Sequence, residues 1–175
     1  MPPIELVPWT PDDLALLQRL NEPLMTEHLG GPESHEKVVD RLRRYVIATT
    51  PSSRMFRIVI AGEAVGSIGY WERTWHDETV YETGWGVVPE HQGRGVASEA
   101  LRELIPIARA ERTHRYLEAF PAVSNAASNA ICRKAGFELI GESKFEYPPG
   151  HLMRCNEWRF DLAHRESGEA ERIPT

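Results

Sequence analysis

The chain has 175 residues, of which 41% are hydrophobic and 26% charged. That is long enough to bury one sizeable core without disulfides or a structural metal. Lys and Arg total 20 against 26 Asp and Glu, a formal net charge of −6, which argues against a duplex nucleic-acid partner and suits a cationic substrate. Cys132 and Cys155 form no CxxC pair, and the start Met-Pro-Pro-Ile-Glu-Leu lacks a signal-peptide pattern. No apolar run approaches the roughly 18 residues a spanning helix needs. A cytosolic chain with no membrane partner is expected.

Ile4 to Val7 reads as a first strand, and Thr10-Pro11-Asp12-Asp13 as a helix start with Leu14, Leu17 and Leu20 on its apolar stripe. After Gly30-Gly31-Pro32 a second helix begins near Ser34. There Val38, Leu42, Tyr45 and Val46 recur at helical spacing, and Arg41, Arg43 and Arg44 face solvent. Met55 to Ala61 and Ala64 to Trp71 form a hairpin about Gly62-Glu63. The stretch Glu72 to Glu78 reads as a loop, followed by a strand from Val80 to Val88. A helix then carries Ala97, Ala100, Leu101, Leu104 and Ala108 on one side, and Pro106 should kink or shorten it. Arg115 to Phe120 reads as a strand, Ser128 to Ala135 as a helix ended by Gly136, and Phe137 to Tyr147 and His151 to Leu162 as two last strands. The order describes one mixed α/β domain over residues 1–162, with a polar tail over 163–175.

The chemistry concentrates where the strand ending Trp85-Gly86-Val87-Val88-Pro89 meets Gln92-Gly93-Arg94-Gly95-Val96-Ala97 and a helix opens. Orphan amides at such a turn suit a phosphate or pyrophosphate, and Arg94 adds a cation. The spacing fits neither a P-loop nor the dinucleotide pattern of three glycines. A tight turn needing positive φ is the alternative reading. Gly84 and Gly86 inside the preceding strand point to a ligand lying along it, or to packing beneath Trp71 or Trp75. The seven histidines are scattered without metal spacing, so no metal is expected.

Gln92-Gly93-Arg94-Gly95-Val96-Ala97 is similar to the Gln/Arg-x-x-Gly-x-Gly/Ala signature of the GNAT superfamily of N-acetyltransferases. Asn125-Ala126-Ala127-Ser128 and Lys134-Ala135-Gly136-Phe137 resemble a second superfamily segment. Tyr81-Glu82-Thr83-Gly84-Trp85 resembles the branch that acetylates ribosomal-protein N-termini. The resemblance implies a mixed, mostly antiparallel sheet splayed between its fourth and fifth strands, with helices on both faces and acetyl-CoA in the gap. Pantetheine would meet the backbone at Gly86, Val87 and Val88. The pyrophosphate would sit on Gln92, Gly93, Arg94, Gly95, Val96 and Ala97, helped by Ser98, while Asn125 and Ser128 meet the pantetheine arm from the other side.

The reaction implied is direct acetyl transfer to a primary amine, either a protein or peptide N-terminus or a small molecule. Glu82 is the candidate base, with a cross-strand ion pair or a solvated edge carboxylate as its alternative role; Glu72, Glu78 and Glu99 compete. The backbone N–H of Val87 or its neighbour is the candidate oxyanion donor. The superfamily's tyrosine acid falls on Cys132, for which core packing competes, and Tyr147 is a substitute. That departure leaves a non-catalytic acyl-CoA binding or sensing module as the other reading. The loop from Glu72 to Glu78 is the expected acceptor contact, and the chain is a monomer or homodimer.

Overall fold

A computed structural model describes residues 2–146, 150 and 152–163. In chain order it contains β1 (Ile4–Pro8), α1 (Leu14–Leu20), α2 (Pro23–Thr26), α3 (His35–Ile47), β2 (Thr49–Thr50), β3 (Ser53–Ile60), β4 (Glu63–Trp75), β5 (Glu78–Val87), α4 (Val96–Glu111), β6 (Tyr116–Ala119), α5 (Ala126–Lys134), β7 (Glu138–Glu146) and β8 (Leu152–Asp161). Single 3-10 turns occupy Pro11–Asp13 and Pro89–His91. The strands form one sheet in the order β1-β3-β4-β5-β6-β8-β7, with β2 added to β3. Every pairing is antiparallel except β5 with β6.

Both faces of the sheet are covered. From Val65 to Tyr70 every residue of β4 is buried, the pattern of a central strand between two layers. On one face α1 and α2 bring Leu20 and Met25 against Gly86. On the other, Tyr70 reaches α4, where its hydroxyl donates to Glu111 Oε1 at 3.3 Å. The α4 stripe runs through Ala100, Leu101, Leu104, Ile105 and Ala108, all buried. Pro106 does not shorten this helix, which continues to Glu111. Proline removes one N–H bond and crowds the carbonyl four residues earlier; here both Pro106 and Arg102 lie on the exposed side, so water can serve the freed carbonyl.

The sheet opens between β5 and β6. These parallel strands pair only at Tyr81↔Leu117 and Glu82↔Glu118, although β5 continues to Val87. Counting the long strands, this is the splay between the fourth and fifth that the family resemblance implies.

Three expectations change. β4 runs past Trp71 to Trp75, so the expected loop from Glu72 to Glu78 shrinks to a turn at His76-Asp77. Both turn residues have positive φ, 48° and 63°, the twist that a two-residue hairpin demands and that side chains resist. A short α2 intervenes before the α3 helix, whose Ser34 Oγ accepts from the Lys37 N–H at 3.4 Å. Arg41 is half-buried and paired with Glu33, while Arg43 and Arg44 face solvent as expected. The expected strand ends at Tyr147 and His151 lie outside the described residues, as does the tail beyond 163.

Candidate active site

The α4 end of β5 is built from backbone. Pro89 starts a 3-10 turn, then Gly93 and Gly95 take φ of 70° and 83°. Gly95 is the N-cap of α4, and its carbonyl accepts the Glu99 N–H at 3.0 Å. A Cβ at either glycine would meet nothing within 4 Å, so the space in front of the turn is open. Among the described residues, the amides of Gly93, Arg94, Gly95, Val96 and Ala97 have no hydrogen-bond partner. Orphan donors around a positive helix end form a cradle suited to a pyrophosphate. Arg94 is exposed beside it, Val96 is buried, and Ser98 is buried in the first helical turn.

Gln92 stands differently from expectation. Its amide N–H donates to the Pro89 carbonyl at 3.1 Å, and its side-chain Nε2 donates to the Val87 carbonyl at 2.8 Å. It braces the turn against β5 instead of adding donors to the cradle.

The open edge of β5 follows from its register. The Val88 N–H donates to the Val65 carbonyl at 2.9 Å, and the Val88 carbonyl accepts from His91 at 3.0 Å. Val88 therefore has neither group left for pantetheine. Antiparallel ladders alternate, so from the Val88–Val65 bond Gly86 and Gly84 also turn their backbone groups toward β4. Thr83, Trp85 and Val87 turn theirs toward the splay, and the Val87 carbonyl is taken by Gln92. Gly86 thus gives way to Trp85, which sequence reasoning missed because a ladder's phase depends on the partner strand. Val87 stays on the open edge.

The two strand glycines serve packing. A Cβ on Gly84 would lie 3.0 Å from the Trp71 ring, and one on Gly86 3.4 Å from Leu20 Cδ2. The space over the strand face is filled by protein; what is open is its edge.

Across that splay, Asn125 caps α5, its Oδ1 accepting the Ser128 N–H at 3.0 Å. The buried Asn129 behind it is a hub. Its Nδ2 donates to the carbonyls of Asn125 and Ala122 at 2.7 and 3.0 Å, while its Oδ1 accepts from Asn156 and the Trp158 indole at 2.7 and 2.8 Å. This fixes the wall carrying Asn125 and Ser128. Cys132, one turn on, is 0% exposed, and burial pushes its thiol up to about 12. That is the core-packing position. Tyr147 lies outside the described residues.

The other end of the splay is charged. The β4–β5 register is unbroken, so Glu82 shares its face with Gly84 and Gly86. Arg73 donates to Glu82 Oε2 at 2.6 Å, the cross-strand pair named as its alternative role. The Arg73 guanidinium also lies 5.0 Å from the Trp75 ring and 4.8 Å from Phe120. On the same face Glu118, beside Glu82 in register, accepts from Arg159 Nε at 2.7 Å. Burial lifts the Glu118 carboxyl above its ordinary range, against the opposing pull of Arg159. Glu157 accepts from Ser143 Oγ at 3.2 Å, with His76 Nε2 3.6 Å away. Sequence alone gave no notice of this group: Arg154, Asn156, Glu157 and Arg159 crowd one strand without clean alternation, and nothing says which strand lies beside them.

Of the competing carboxylates, Glu72 is held by His114 at 2.7 Å, whose hydrogen bond keeps it below its usual range. Glu99 pairs with Arg102 at 3.0 Å on the surface of α4. Among the described residues no cluster of metal-ligating side chains occurs, and no helix is long and apolar enough to cross a membrane.

A profile of the acetyltransferase (GNAT) domain matches residues 4–138. No curated protein sequence matches the chain. Solved structures agree in fold. The aminoglycoside acetyltransferase AAC(6')-Ib, in complex with coenzyme A and kanamycin, superimposes with a TM-score of 0.73 at 20% identity, covering 91% of this chain and 95% of its own. A GNAT-family acetyltransferase from Bacillus anthracis gives 0.77 at 17% identity, covering 92% and 96%. The ribosomal-protein α-N-acetyltransferase RimL gives 0.75 at 22% identity, covering 90% of each chain. With the profile spanning most of its length, the chain belongs to the GNAT family of acetyltransferases.

Proposed function

We propose that the chain moves an acetyl group from acetyl-CoA to a primary amine by direct transfer in a ternary complex. The observation that carries this is the unpaired edge of β5 running directly into the open amides of Gly93 to Ala97. Pantetheine fits the edge as an added strand on Trp85 and Val87, and the pyrophosphate fits the turn, with Arg94 beside it. Asn125 and Ser128 face the arm from the α5 wall. When bound, acetyl-CoA supplies a thioester whose C–S bond breaks as the amide C–N bond forms, its sulfur leaving as a thiolate that is protonated from solvent.

The residues of the chain have two tasks. Glu82 accepts the proton of the incoming ammonium, directly or through water, at the carboxylate oxygen not held by Arg73. The N–H of Trp85 or Val87 is the fixed donor for the developing oxyanion. Cys132 has no part in this scheme, because its thiol is sealed in the core.

The acceptor is a protein or peptide N-terminal amine or a small-molecule amine, the two kinds represented by RimL and by the kanamycin complex. The test is a thermal melt with acetyl-CoA, with ATP and NAD as controls, followed by CoA release across an amine panel. Ligand at one hundred times Kd should add about 2.7 kcal/mol. No selective shift would end this reading. A shift without turnover on any amine would make the chain an acyl-CoA sensing module instead.

A further inference from the structure

Resting on the transfer reading above, we propose that Glu118 and Glu157 form an anchoring subsite for a second positive charge on the acceptor. The preferred acceptor is then a slender oligoamine in place of a monoamine or a peptide terminus.

The charges on this face do not balance. Glu82, Glu118 and Glu157 are met by Arg73 and Arg159. Arg73 is committed to Glu82, and Arg159 to Glu118, approaching Glu157 Oε1 only to 4.0 Å. The Glu118 side chain is 0% exposed and that of Glu157 4%. Yet Glu118 Oε2 and Glu157 Oε1 have no hydrogen-bond partner among the described residues. Two buried carboxylate oxygens left so, in reach of one shared guanidinium, are an acceptor pair awaiting a donor.

The missing group must be small, cationic and rich in donors. A primary ammonium offers three N–H bonds and no acceptor, donors enough for more than one carboxylate oxygen. A terminal ammonium on an unbranched alkyl chain can enter a site this deep, whereas a peptide terminus carries a substituted Cα beside its nitrogen. His76 Nε2, 3.6 Å from Glu157 Oε2, sits over the pair on a ring that is 69% exposed, so the approach lies beneath a surface side chain. Trp75 and Phe120 add aromatic surface alongside, already used by Arg73. Strand spacing sets the reach: from the β5 edge at Trp85 to Glu118 is on the order of 10 Å, three residues along and one strand across. That separates the reacting nitrogen from the anchored one.

The test uses calorimetry on the whole chain, with and without CoA, titrating spermidine, n-butylamine and an alanine-serine dipeptide into wild type, Glu157→Gln and Glu118→Gln. Spermidine should bind wild type at least tenfold more tightly than n-butylamine, and either substitution should erase most of that advantage. The acetyl-CoA thermal shift should persist in both variants. Equal affinity for the two amines in wild type overturns the proposal. So does a loss in the variants that is the same for both amines, or a dipeptide that binds as well as spermidine and is indifferent to Glu157→Gln. Both substitutions preserve shape, and a melt of each variant separates misfolding from lost recognition. If acetyl-CoA produces no shift, the transfer reading fails on its own, while spermidine binding without CoA still decides the subsite.

Discussion

The two ends of the opened β5 edge are made of different material. At the α4 end, Gly93 to Ala97 offer main-chain amides around glycines with open space before them. At the other end, side chains from β4, β5, β6 and β8 converge: Arg73, Glu82, Glu118, Glu157 and Arg159. A backbone cradle recognises what every molecule of one cofactor shares. A side-chain cluster gathered from distant strands can be changed one residue at a time, which is how a fold keeps its donor and changes its acceptor. The difference can be broken experimentally from either end.

The largest effect is expected from Gly95→Val. A branched side chain at φ 83° is strained by about 1–2 kcal/mol, and its Cβ projects into the space before the amides. Acetyl-CoA affinity should fall by about 100-fold, or about 2.7 kcal/mol, measured by calorimetry. Near-wild-type affinity would mean the cradle is only a turn. Next comes Glu82→Gln at the charged end. Its kcat should fall by about 100-fold while acetyl-CoA binding stays within about twofold, read from steady-state rates and the thermal shift. A variant of full activity would leave Glu82 as no more than the partner of Arg73.

The same contrast explains what could be read from the sequence. A backbone site writes its geometry into glycine spacing, so the turn at Gly93 and Gly95 was legible, as were the hairpin at Gly62 and the helical stripes. Side-chain sites leave no such trace. Arg73 and Glu82 meet only because Trp71 is in register with Glu82. Glu118 joins them only because β6 lies parallel beside β5. Glu72 to Glu78 looked like a loop because acids, arginine and histidine crowd there, yet the alternation from Glu72 to Trp75 is that of a strand with one face covered. The choice of Trp85 over Gly86 as an edge residue hung on the phase of one ladder. That phase is set by the partner strand, where the Val65 carbonyl accepts the Val88 N–H at 2.9 Å.

Gln92→Ala sharpens the comparison at its seam. The glutamine spends its side chain on the Val87 carbonyl at 2.8 Å, so it supports the cradle without belonging to it. Truncation should cost about 1 kcal/mol of acetyl-CoA binding, near a fivefold rise in Kd by calorimetry. A loss as deep as that of Gly95→Val would mean that Gln92 touches the ligand.

The smallest effect concerns stability and pH at the charged end, through Glu118→Gln. Burial raises the Glu118 carboxyl above its unfolded value, so the folded state holds its proton more firmly than the unfolded chain does. The stability this contributes is complete below the ordinary glutamate range, near 4.3, and is lost as pH rises through the higher folded value. Wild type should therefore lose stability across that interval, while Glu118→Gln, which keeps a carbonyl oxygen for Arg159, should not. Above it the variant should be the more stable by on the order of 1 kcal/mol, read from urea melts between pH 4 and pH 8. The opposite sign would mean that Arg159 outweighs burial and that Glu118 is a satisfied ion pair. The two ends of the site would then differ in composition but not in what they leave open for a ligand.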